Sequence, residues 1–157
     1  TIYPMVALFG RPHKIDTSGI VLSTGVDGQG AVNFQYEGMN ATVLYSKIAD
    51  SFLPTEIEGE EGNLLLDKIQ TIQEVTYLPR QTAILDRGTT IVPESIGVQL
   101  DRDKYFYEVE EFINLIEQGR LESEINSHNH SLISLEIIDE IRRQMGVVYP
   151  ADKEPRL

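Results

Sequence analysis

Three consecutive stretches near the end of the chain decide its architecture. They are Tyr105-Phe-Tyr-Glu-Val-Glu-Glu-Phe-Ile-Asn-Leu-Ile-Glu-Gln-Gly119, Asn126-Ser-His-Asn-His-Ser-Leu132 and Leu135-Glu-Ile-Ile-Asp-Glu-Ile-Arg-Arg-Gln-Met-Gly-Val-Val-Tyr-Pro150. In the first, Phe106, Val109, Phe112, Ile113 and Ile116 recur at helical spacing, with Asp103 placed to cap the start and Gly119 to stop the end. In the last, a helix opening near Ser127 puts Leu135, Ile138, Ile141 and Met145 on one face and ends at Gly146, with Pro150 beyond. On this spacing Ile138 is a core residue, whose truncation to Ala should cost ~2–5 kcal/mol. Asp139 and Arg143 fall at i,i+4 and are expected to form an exposed pair worth only ~0.3–0.5 kcal/mol.

Upstream the period is two, not 3.6. Residues 15–23 are rich in β-branched side chains, and residues 31–36 alternate, placing Val32, Phe34 and Tyr36 on one face and Asn33 and Gln35 on the other. Glu37-Gly38-Met39-Asn40 supplies turn chemistry, and residues 41–48 read as the returning strand. A second hairpin is expected over residues 55–66, folded about Gly59 and Gly62. Residues 73–78 read as a further strand, 79–88 as loop, and 89–99 as a last, irregular strand. The N-terminal segment up to Gly10 reads as the end of a helix, with Pro12 beyond the stop. Strands first and helices last predict an α+β domain, an open, mostly antiparallel β-sheet with helices covering one face. The other face, carrying Asn33, Gln35, Thr42 and Tyr45, avoids charge and is expected to meet a partner.

Composition excludes several classes of function. The 157 residues carry a net charge of −12, which opposes binding to nucleic acid or to anionic membranes. No apolar run approaches the ~20 residues of a membrane span, and the opening residues do not read as a signal peptide. Cysteine is absent, which removes disulfides and thiolate chemistry and fits a cytoplasmic location. One domain of ordinary size accounts for the length, against a prior of ~150 residues per domain.

Candidate chemistry is sparse. His128 and His130 stand two apart where a helix begins, so their rings diverge and no nearby carboxylate completes a metal set. No metal is expected. The run Ser23-Thr-Gly25-Val-Asp-Gly28-Gln-Gly30 precedes a strand, not a helix, and reads as a hairpin turn, not a dinucleotide fingerprint. Asp101 and Asp103 read as capping carboxylates, Tyr105 and Tyr107 as packing residues, and residues 56–61 as a solvated acidic hairpin end. Taken alone, the residues describe an acidic α+β domain with no complete catalytic constellation.

Several short motifs in order carry more. Leu8-Phe9-Gly10-Arg11-Pro12, Thr24-Gly25-Val26-Asp27, Glu56-Ile57-Glu58-Gly59-Glu60-Glu61-Gly62, the weaker Asp86-Arg87-Gly88, and the closing Asp139-Glu-Ile-Arg142 with Gly146-Val-Val-Tyr149-Pro150 resemble the Gfo/Idh/MocA oxidoreductases. The resemblance implies the C-terminal domain (residues 1–157) of an NAD(P)-dependent dehydrogenase of sugars or polyols, with substrate-binding and oligomerisation roles. Its N-terminal Rossmann domain would lie outside this chain and hold the NAD or NADP. The family's catalytic Lys lies in that half, and its catalytic His or Tyr falls about ten positions before Gly10, immediately ahead of Thr1. The resemblance therefore assigns no catalytic, cofactor-binding or metal residue here, and the chain alone is expected neither to bind a nicotinamide cofactor nor to catalyse. It places Tyr3 near the rim of the cleft and Lys47, Asp50 and Ser51 in the substrate-contacting segment. Asn129 and His130 depart from the family by replacing acidic residues at the start of the last helix. The implied partners are the Rossmann domain, a sugar or polyol, and a second copy in a homodimer or tetramer. The alternative is a free-standing, non-catalytic binding or assembly module.

Overall fold

The computed structural model describes residues 2–69, 72–80, 92–97 and 100–153. The backbone divides into two compact units, one of residues 1–51 with 122–157, the other of residues 52–121.

The first unit holds α1 (Ile2–Phe9), the antiparallel strands β1 (Lys14–Val21), β2 (Asp27–Tyr36) and β3 (Met39–Ser46), and the long α3 (His128–Met145). Gly10, at φ 72°, stops α1, and its N–H returns to the Val6 carbonyl at 2.8 Å. Between β2 and β3 the turn closes over Glu37 and Gly38, with Gly38 at φ 72° and Tyr36 paired to Met39. In the glycine run only Gly25, at φ 85°, serves the turn. Gly28 and Gly30 lie inside β2, where neighbouring side chains leave no room for a Cβ: Leu22 would stand at 2.6 Å from the one and the Tyr45 ring at 2.5 Å from the other.

The period-two reading of β2 holds in three dimensions. Val32 and Phe34 are buried against Val6, Val43, Ile137 and Ile141, while Gln29, Asn33 and Gln35 are exposed on the opposite face. Burial of a large aliphatic or aromatic side chain stabilises by roughly 1.5–3 kcal/mol, so this cluster is the energetic centre of the unit. Helices α1 and α3 pack on each other, and α3 lies along β1. Helix α3 begins where expected, with the Ser127 hydroxyl accepting the His130 N–H, and it ends at Gly146 in the left-handed conformation. No acidic residue stands in its first turn, but the Glu122 carboxylate reaches back to the His128 N–H and supplies negative charge from outside the helix.

The buried face of α3 is rotated from the sequence expectation. Ser134, Ile137 and Ile141 are buried, whereas Leu135 is exposed and Ile138 is 39% exposed against 2% for Ile137. Spacing alone fits both stripes, and the strand surface beneath selects one. The ion pairs shift likewise. Asp139 binds Arg142 at 2.8 Å and Arg143 binds Glu140 at 2.6 Å, so both pairs are i,i+3, not Asp139 with Arg143. Arg142 also reaches Asp152 and lies over the Tyr149 ring at 4.3 Å, tying residues 147–153 back onto the helix.

Tyr45 is a further correction. It was expected beside Asn33 and Gln35, yet three residues from Thr42 on a strand means the opposite face, and it sits over Gly30 beneath Met145. The uncovered face instead presents cross-strand rows: Lys14, Gln35 and Asn40; Asp16, Asn33 and Thr42; Ser18, Ala31 and Leu44.

The second unit is a meander of β4 (Thr55–Glu58), β5 (Gly62–Leu66), β6 (Val75–Pro79) and the two-residue β7 (Glu94–Ser95), followed by α2 (Lys104–Glu117). Its Gly59 N–H closes the hairpin on the Gly62 carbonyl at 3.0 Å. The antiparallel strands thus form one ladder in each unit. Asp103 caps α2 by accepting the Tyr105 N–H at 2.9 Å, and Gly119 follows the C-cap at φ 64°. Within the second unit no described strand packs against α2, and the residues of its apolar stripe are exposed there. The Asp86-Arg87-Gly88 motif and the loop over residues 81–88 lie outside the described residues.

Candidate functional site

The residues that the family resemblance sets near the substrate, Tyr3, Lys47, Asp50 and Ser51, all belong to the first unit, where two groups of contacts involve Lys47 and Tyr3. The first gathers at the end of the β1–β2–β3 ladder. The two-residue turn fixes the register so that the β2–β3 pairing ends near Gln29 and Ser46, and the Lys47 N–H then donates to the Gly28 carbonyl at 2.7 Å. Its ammonium binds the Asp27 carboxylate at 2.7 Å. The Tyr45 hydroxyl lies within reach of that carboxylate and 3.1 Å from Met145 Sδ. Partial burial by itself would raise the Asp27 pKa, but the hydrogen bond and charge of Lys47, a backbone N–H and the Tyr45 hydroxyl outweigh it and hold the carboxyl below its ordinary value. The same surroundings act oppositely on Tyr45. Burial, then the negative charge of Asp27, push its hydroxyl above the usual phenol range.

Chemically, this is a neutralised ammonium with spare N–H donors. The Lys47 side chain is 54% exposed, so it can donate to a hydroxyl group while Asp27 fixes its position. Asp50 is exposed in the segment that follows, and the Ser46 hydroxyl organises its start by accepting the Ala49 N–H at 2.9 Å. Ser51, also exposed, ends the first of the two segments that make up this unit.

The second group involves Tyr3. Its hydroxyl donates to the Ile125 carbonyl at 3.3 Å, and its ring meets His130 edge to face at 6.3 Å. Tyr3 thus ties α1 to the start of α3. His128 and His130 do diverge, the first toward Glu122 and the second toward Tyr3. No group of three His, Asp or Glu side chains suited to a metal is found among the described residues. Asp101 accepts from the Tyr107 hydroxyl at 2.7 Å, which raises the Tyr107 pKa, and Tyr105 is exposed.

Sequence reasoning missed Asp27 as the anchor of Lys47. The signal was available, since a two-residue turn at Glu37 and Gly38 already sets Lys47 opposite Gly28, beside Asp27. No helix among the described residues is long and apolar enough to cross a membrane.

No protein-family profile matches the chain. Individual relatives do. The scyllo-inositol 2-dehydrogenase (NADP(+)) IolU of Bacillus subtilis is 41% identical over 152 residues, which cover 97% of this chain and 44% of that protein. YgjR, an uncharacterized oxidoreductase of Escherichia coli, is 35% identical over 147 residues, or 94% and 42% of the two chains. Among solved structures, the UDP-N-acetylglucosamine 3-dehydrogenase GnnA of Acidithiobacillus ferrooxidans matches with a TM-score of 0.68 at 14% identity, over 92% of this chain and 44% of that one. At that identity the likeness speaks for the fold alone. The α+β architecture, with its open antiparallel sheets, is therefore that of an oxidoreductase C-terminal domain. The chain spans a little under half the length of the relatives it matches, and it belongs to the Gfo/Idh/MocA oxidoreductases as a counterpart of their C-terminal part.

Proposed function

We propose that this chain is the substrate-side and assembly half of an NAD(P)-dependent dehydrogenase that moves a hydride between the nicotinamide and a carbinol carbon of a sugar or polyol. The observation that supports this most is the 41% identity to a scyllo-inositol dehydrogenase over nearly the whole chain. All strand pairings among the described residues are antiparallel, so they include no strand–helix–strand unit of the kind that binds dinucleotides. The nicotinamide and the proton-transferring groups then belong to the other half of the enzyme. Lys47, held by Asp27, donates to a substrate hydroxyl, and Asp50 and Ser51 complete the polar wall. Tyr3 shapes the rim through its hold on α3. Assembly proceeds through the uncovered face of the first ladder, whose rows mix polar residues with Ala31 and Leu44 and, apart from the paired Lys14 and Asp16, are uncharged.

The test joins the chain to its nicotinamide-binding half and measures oxidation of scyllo-inositol and related polyols with NAD and with NADP. Turnover is expected, and Lys47→Ala should raise KM with kcat nearly unchanged, as loss of uniform binding requires. Absence of turnover with every polyol and both cofactors would overturn the reading in favour of a non-catalytic assembly module. Isothermal titration of the chain alone should show no nicotinamide binding.

A further inference from the structure

The free edge of β1 is occupied by a side chain. Among the described residues β1 has a strand neighbour on one side only, in the β1–β2–β3 ladder. On its other side the Thr17 N–H donates to Gln144 Oε1 at 2.9 Å, and Gln144 Nε2 donates to the Ile15 carbonyl at 2.8 Å. A primary amide offers one acceptor and two donors, and here it satisfies one N–H and one C=O two residues apart, edge groups that an added strand would otherwise bond. Its second amide proton goes to Glu140 Oε1 at 2.6 Å, so the amide has no rotational freedom left. Glu140 is itself clamped by the Arg143 guanidinium at 2.6 and 2.8 Å. That clamp, with the Gln144 amide, depresses the Glu140 pKa to about 2. The support therefore stays ionised and accepting across ordinary pH.

We propose that Gln144 is a stand-in strand, and that the partner it excludes is the β1 edge of a second copy of this chain. An unpaired edge is a template for strand addition, and proteins block such edges with dedicated side chains. Charge favours self-pairing over a foreign strand. An antiparallel pairing centred on Ile15 sets Lys14 opposite Asp16 of the second copy, and one centred on Thr17 sets Asp16 opposite Ser18, so in neither do like charges meet. Without the amide, the outward groups of Ile15 and Thr17 are free to make those bonds. This contact is distinct from the sheet face assigned above to assembly, and the wild-type chain is the reference for that one.

The test compares wild type with Gln144→Met, which keeps the length and removes the amide, and with Gln144→Glu, which keeps the acceptor but loses the donor. Sedimentation velocity over a concentration series should show Gln144→Met forming species larger than those of wild type at the same concentration. At low concentration its Thr17 amide should exchange with solvent about fivefold to tenfold faster, the loss of one net hydrogen bond. Gln144→Glu should fall between. Adding Thr17→Pro to Gln144→Met removes the edge donor while sparing the β1–β2 ladder, and it should return the size distribution to that of wild type. A size distribution for a folded Gln144→Met identical to wild type throughout would overturn the proposal. So would larger species that survive Thr17→Pro, since association would then use another surface. If Gln144→Met fails to fold by circular dichroism, Gln144→Glu alone decides by the same two readings.

Discussion

Helices α3 and α2 carry the same kind of sequence signal and use it differently. Both show apolar residues at helical spacing, a capping side chain before the first turn and a glycine after the last. On α3 one stripe is sealed, with Ile137 and Ile141 against Val32 and Phe34. On α2 the stripe of Phe106, Val109, Phe112, Ile113 and Ile116 is exposed, and Phe112 keeps 63% of its surface. Caps and stops are local, because they satisfy N–H and C=O groups a few residues away. What covers a stripe is not local, and amphipathic spacing says only that a cover is needed.

The largest expected effect tests that contrast directly. Ile137→Ala should destabilise the first unit by about 2–5 kcal/mol, as truncation of a sealed core residue does. Ile138→Ala, one position away, should cost under about 1 kcal/mol, and Phe112→Ala on α2 should stay within about 0.5 kcal/mol. Urea melts of the three variants followed by circular dichroism measure the order. A cost for Phe112→Ala equal to that of Ile137→Ala would show that the α2 stripe is covered in solution. In the enzyme with its nicotinamide-binding half, a larger Phe112 effect than in this chain would locate the cover there.

Close packing over glycine sharpens the comparison at a second level. Gly30→Ala should cost about 1–3 kcal/mol, because a Cβ would stand 2.5 Å from the Tyr45 ring and the ring must move. Gly25→Ala places its methyl in open space and should cost less, only the strain of a left-handed φ. Thermal melts of the two variants rank them, and equal costs would mean that conformation, not crowding, governs this run. Gly146→Ala belongs with the second kind. Nothing lies within 4 Å of its Cβ position, so the expected loss of about 1 kcal/mol is that of the left-handed cap alone.

How much the sequence disclosed follows the same division. The hairpin about Gly38, the inward set Val32 and Phe34, the caps Ser127 and Asp103 and the stops Gly10 and Gly146 were all legible, because each depends on neighbours in the chain. The rotation of α3 from Ile138 to Ile137 was not, since both stripes satisfy a 3.6 period and only the sheet beneath chooses. The placement of Tyr45 was legible by parity from Thr42 and was misread. Part of the candidate site was also within reach, because the turn register brings Lys47 to Asp27. The hold of Tyr3 on His130 and Ile125 joins residues more than a hundred positions apart, and no local pattern announces it.

The smallest expected effect concerns that site. Asp27 has its folded pKa lowered, with Lys47 as the main favourable partner. A lowered carboxyl pKa contributes stability above the unfolded value, and that stability is lost as pH falls through the folded value. Lys47 is more than half exposed, so solvent screening limits the contribution to about 0.5–1 kcal/mol. Asp27→Asn should therefore be less stable than wild type by that amount at neutral pH. The gap should close as the medium is acidified below the ordinary carboxylate range, where the wild-type carboxyl is itself becoming neutral. Raising the salt concentration at neutral pH should narrow it too, because an exposed pair is screened. Urea titrations of both proteins at neutral and at acid pH measure the gap. A gap that persists undiminished in acid would mean that Asp27 works by its hydrogen-bond geometry at the head of β2 and not by its charge on Lys47.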